Sequence, residues 1–226
     1  GAEALKWAMV IGGLNGELAS LGFPNILGGF TKAPFDTIGD TLRGTKGIIM
    51  DMYRQPDKLL QALEAMTPIM IGMGLGAAQQ TGNPQIFMPL HKGADGFLSD
   101  EQFKKFYWPT FKAVMLGLIE GGCIPFPALE GHWGSRLKVI QDIPKGKTMW
   151  MVDQTDMAKV KETLGKNACL IGNVSSSMLN LGTPQQVKDY CKKLIDTVGK
   201  GGGFIMSNGA FFDEAKPENI KAMVDS

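Results

Sequence analysis

Six apolar runs in this chain do not alternate with polar residues: FPNILGGF (23–30), PQIFMPLH (84–91), CIPFPALE (123–130), TMWMVD (148–153), ACLIGN (168–173) and GFIMSN (203–208). A strand with one wet face alternates, whereas a parallel strand covered on both faces reads as a near-continuous apolar run. The longer segments between them carry helix starts. Ser99-Asp100-Glu101-Gln102 and Thr183-Pro184-Gln185-Gln186 read as capping boxes, in which the hydroxyl accepts an orphan N–H and the glutamine reaches back. Gln55-Pro56, Asp156 and Pro217 open further helices. Gly165 and Gly199 are expected at helix ends in the left-handed conformation. Strand, loop and capped helix in repetition mean parallel α/β.

Two α/β architectures compete, an open doubly wound sheet and a (β/α)8 TIM barrel. The dinucleotide signature GxGxxG between a first strand and its helix is absent, and the GGG at 201–203 precedes a strand. His91, Glu130, Asp153, Asn173 and Asn208 all fall at or just beyond the ends of their runs. That is the face on which barrels place their chemistry. The expectation is therefore a single-domain barrel over 1–226, truncated at the N-terminus, with about six of the eight strands a closed barrel needs. The opening on Gly1 in helix-like sequence agrees with that. A barrel lacking strands exposes sheet edges, which predicts a homo-oligomer.

Composition narrows the partners. With 44% hydrophobic residues and a net charge of +1, the chain offers no electrostatic reason to bind nucleic acid or an anionic membrane. MTPIMIGMGLGA (66–77) is apolar but short and glycine-broken, so no membrane span is expected. Cys123, Cys169 and Cys191 form no CxxC pair and read as structural thiols of a reducing compartment, which places the protein in the cytoplasm. Phe103, Phe106 and Tyr107 at helical spacing read as core, and the dispersed methionines as packing.

GNVSSSMLNLGTPQQVKDYCKKLID followed by GGGFIMSNGAFFDEAKPENIKAMVD resembles the carboxyl-terminal part of the uroporphyrinogen decarboxylase superfamily. HKGADGFLSDEQFKKFYWP is similar to its middle region, and the likeness runs from about Gly28 to the end. The resemblance implies a (β/α)8 barrel and one of two activities. Decarboxylases remove acetate carboxyl groups from a tetrapyrrole without a cofactor. Corrinoid-dependent methyltransferases move a methyl group between a small donor, such as a methyl ether, and a corrinoid protein or other acceptor, and many use zinc. GNVSSSML with PENIKAM looks closer to the methyltransferases. A non-catalytic module that binds a corrinoid or a partner is the third reading. Thiol-methylating members carry His-x-Cys at one strand end and a cysteine after GGGFI; here those places hold Glu130-Gly131-His132 and Ser207-Asn208-Gly209-Ala210.

The candidate site follows from the polar strand ends. Glu130 and His132 lie two apart, so an extended backbone would point both the same way. They could ligate zinc, with a third ligand from His91, Asp153 or Asp213, or act as a carboxylate–imidazole pair in proton transfer, assisting departure of an alcohol. A hydrogen-bonded strand end explains them equally. Arg136 suits a bidentate anion contact or a surface salt bridge with Asp142, Asp153 or Asp156. His91 and Asp95 sit in a glycine-containing loop able to approach a small-molecule substrate, or to form a tight turn. Asp153 is the better functional residue of its loop, because Asp156 reads as a cap. Asn173 and Asn208 could orient a ligand by donating and accepting at once, or satisfy their own turns.

Overall fold

The computed structural model describes residues 1–209 and 214–226. Its strands are β1 (Gly29–Phe30), β2 (Gln85–Leu90), β3 (Ile124–Leu129), β4 (Met149–Val152), β5 (Cys169–Val174) and β6 (Phe204–Asn208). All pair in parallel, and each lies beside its predecessor in the order β1-β2-β3-β4-β5-β6. A doubly wound sheet reverses its strand order at a switch point. Here no reversal occurs, so the sheet is a six-stranded arc of a barrel. The first apolar run shrinks most: of 23–30 only Gly29 and Phe30 pair, with Ile86 and Phe87, and residues 23–27 are exposed.

Helices cover one face of the arc. Ile86, Met88 and Leu90 alternate along β2 and are fully buried, and Ile86 meets Gly74 of the helix Pro56–Thr81. That helix also packs on β1 and on the helix Trp108–Glu120. It absorbs residues 66–77, so the apolar stretch is part of a 26-residue helix, long and apolar enough by composition to cross a membrane. On the opposite face, register aligns Phe30 with Phe87 and Phe126, and Ala128 with Met151, Ile171 and Ile205. Phe126 and Ile171 in mid-sheet are 3% exposed, whereas Phe30 and Ile205 on the edge strands are 49% and 45% exposed. Lateral neighbours bury this face, and an edge strand has one neighbour fewer.

The helix starts hold. Ser99 and Thr183 form complete capping boxes, Asp156 caps through Ala158 N and Lys159 N, and Pro56, Pro184 and Pro217 open their helices. The glycine expectation needs correction. Gly165 ends its helix at φ −63°, and Gly199 is not among the positive-φ glycines. Gly165 is required for room instead: a Cβ there would lie 2.5 Å from Lys161 O.

Candidate functional site

Parallel strands place all their carboxyl ends at one rim, so the residues after β1, β2 and β3 meet by register. Leu90 pairs with Leu129, which sets His91 beside Glu130. Their side chains approach to 3.7 Å, His91 Nε2 to Glu130 Oε1. The segment after β1 folds into a short helix, Pro34–Thr37, and a π turn, Ile38–Leu42. These bring Asp36 and Asp40 under the same loop. Asp40 accepts from His91 Nδ1 at 2.6 Å, from Lys32 Nζ at 2.8 Å and from Lys92 Nζ. Asp36, fully buried, accepts from His91 N at 3.2 Å, Lys92 N at 2.9 Å and the Tyr107 hydroxyl at 2.6 Å.

The electrostatics separate these carboxyls. Burial alone would raise Asp40, but hydrogen bonds from Lys32, Lys92 and His91 hold it well below the ordinary carboxylate range. Burial pushes Asp36 up to about 6 against the pull of Tyr107 and Lys92. Burial also raises Glu130; His91 opposes this and Asp153 adds to it. Glu130 Oε1 is buried without a hydrogen-bond partner among the described residues. Its backbone is held by Trp133, fully buried against Phe103 and Tyr107, whose indole N–H donates to Glu130 O at 2.9 Å.

Residues 19–226 match the family model described as uroporphyrinogen decarboxylase (URO-D). The chain belongs to the uroporphyrinogen decarboxylase family. Among solved structures it is similar to a methyltransferase from Methanosarcina mazei, with a TM-score of 0.71 and 21% identity over 87% of this chain. It spans 56% of that protein's length. At that identity the likeness speaks for the fold. No curated protein matches the chain.

Within this family fold the expected site residues divide. His91, Glu130 and Asp153 come together: Asp153 lies close enough to Glu130 to raise it, and accepts from Gly131 N at 2.9 Å. His132 does not join them. Gly131 adopts φ +79°, which breaks the extended geometry the spacing required, and His132 is exposed on the turn. Arg136, 2% exposed, donates to Gly93 O at 3.2 Å, to Leu98 O and to Asp100, and stacks on Phe103 at 4.8 Å. Its carboxylate contact is Asp100, and no pair with Asp142, Asp153 or Asp156 forms among the described residues. Asp95 accepts from Ser135 N and Oγ at 3.1 and 2.9 Å and so joins two loops.

The asparagines differ in their commitments. Asn173 is buried, donating to Asp153 O and Thr155 O and accepting from the Tyr190 hydroxyl, so its amide staples β5 to the loop after β4. Asn208 is half-buried beside Ser207. Asp213 lies outside the described residues. Among the described residues no three His, Cys, Asp or Glu side chains converge as a metal site needs. Among the described residues there is thus no zinc donor set, and there Glu130 is not paired with His132.

Lys32, Asp36, Asp40, Lys92 and Tyr107 join this cluster, and motif reading passes over them. A signal existed: PFDTIGD sets two acids four apart a few residues after an apolar run.

Proposed function

We propose that this chain carries the proton-transfer machinery of a methyltransferase that demethylates a methyl ether. The observation that carries this is the orphaned Glu130 Oε1 beside an imidazole fixed by Asp40. Ionised Asp40 can only accept, so His91 Nδ1 must bear the hydrogen, and Nε2 is the nitrogen left for Glu130. The 3.7 Å gap between Nε2 and Oε1 is too long for a hydrogen bond. An ether oxygen could lie about 2.8 Å from Glu130 Oε1 and accept the hydrogen of the protonated acid. A corrinoid carried by a partner protein supplies the methyl acceptor. As the methyl carbon leaves, the ether oxygen keeps the electrons of the broken C–O bond and takes the proton of Glu130, giving the alcohol. His91 Nε2 takes a proton from water at the open rim and passes it to Glu130, so both groups end as they began. His91 is about a third exposed, which suits a rim that a macromolecular acceptor approaches.

Tetrapyrrole decarboxylation finds less support. It needs free cations for several substrate carboxylates, and Lys32, Lys92 and Arg136 are each paired with an aspartate.

The test is demethylation of anisole and of 4-nitroanisole in the presence of a corrinoid protein, followed by the cobalt spectrum. Glu130→Gln is expected to slow anisole about 10²-fold or more. The loss should be much smaller for 4-nitroanisole, whose phenol leaves without a proton. Wild-type turnover should also fall as pH rises through the elevated Glu130 ionisation, and the glutamine variant should lack that limb. Equal losses for both ethers would refute general-acid catalysis by Glu130.

A further inference from the structure

Asp36 and Asp40 grip the same two residues by different atoms. Asp40 takes the side chains of His91 and Lys92, and Asp36 takes their main-chain N–H groups. Asp36 also accepts from Tyr107, so two oxygens serve three donors in a fully buried place. Only an ionised carboxylate accepts all three with nothing turned the wrong way. An asparagine would set its NH₂ against a peptide N–H whichever way it flipped. We propose that Asp36 is a positioning residue: by holding the His91 and Lys92 peptides it sets where the His91 imidazole stands, so that a change in its charge is felt at both amides. This rests on the reading of His91 as the proton-transfer group.

The titratable and charged groups facing Asp36 come from three elements. Tyr107 approaches from the π turn Phe103–Tyr107, His91 and Lys92 from the loop after β2, and Asp40 from the π turn that follows Asp36. Tyr107 stays a neutral donor, because burial and then Asp36 push its ionisation well above the ordinary phenol range. Asp36 therefore titrates within an accessible range, near 6.

Nuclear magnetic resonance of the labelled chain tests this without any turnover. The Asp36 carboxyl carbon and the His91 and Lys92 amides should titrate together with a midpoint near 6. In His91→Gln the Lys92 amide should keep that midpoint; its disappearance with the imidazole would overturn the proposal. The chain has only two histidines, so His132 on its exposed turn serves as the control. In Asp36→Asn the imidazole nitrogen signals of His91 should lose their Nδ1–H pattern while those of His132 stay in place. A folded Asp36→Asn protein with unchanged His91 signals would also overturn it. If that variant does not fold, the wild-type and His91→Gln titrations decide. Failure of the ether assay would leave these signals untouched, so the two readings can fall separately.

Discussion

Replacing Arg136 by methionine separates a structural guanidinium from a ligand-binding one. The methionine keeps most of the stem volume and removes the fork. Two buried carbonyl oxygens, Gly93 O and Leu98 O, then lose their donor. An unsatisfied buried acceptor costs roughly 1–3 kcal/mol, and the stacking on Phe103 contributes about 0.5–2 kcal/mol. The expected loss is about 3–5 kcal/mol, the sum of the two orphaned carbonyls and the lost stacking. Asp100, the carboxylate partner, is 59% exposed, so Asp100→Asn should cost far less than Arg136→Met. Urea unfolding followed by tryptophan fluorescence measures both, with Trp133 buried in the same cluster as Phe103. The asymmetry is the signature: a large loss for the arginine and a small one for its aspartate. Arg136→Met that keeps its unfolding midpoint while losing affinity for an anionic ligand would refute the structural assignment.

Three further outcomes follow from the packing and the charges. Asp36 rises from an ordinary 3.8 to about 6 in the folded chain, so the folded state binds its proton more tightly than the unfolded one. That stabilisation is complete below about pH 4 and lost as pH rises through 6, roughly 3 kcal/mol in all; unfolding of wild type against Asp36→Asn across pH 4–7 should show it, and parallel pH profiles would contradict it. Gly93→Ala would place a Cβ 2.3 Å from Trp133 and 2.9 Å from Tyr107, and should destabilise by about 1–3 kcal/mol with a changed near-ultraviolet dichroism spectrum. Asn219, fully buried, donates at 2.9 Å to both Leu179 O and Gly182 O, so Asn219→Ala should cost about 2–4 kcal/mol in thermal or urea unfolding.

What the sequence by itself determined is local or periodic. Apolar runs without alternation marked six parallel strands, and hydroxyl–glutamine pairs marked two helix starts, because both signals live within a few neighbouring residues. The family was legible for the same reason, in short strings around GTPQQV and GGGFI. The partner of Glu130 was not. Spacing favoured His132, two residues away, but the positive φ of Gly131 turns that residue outward. The histidine that meets Glu130 is 39 positions earlier and arrives through the pairing of Leu90 with Leu129. Arg136 likewise offered its fork to any anion until the loop after β2 closed over it and took every edge. Strand register and loop closure act between residues far apart in the chain, so only the assembled sheet could decide which charges share the rim.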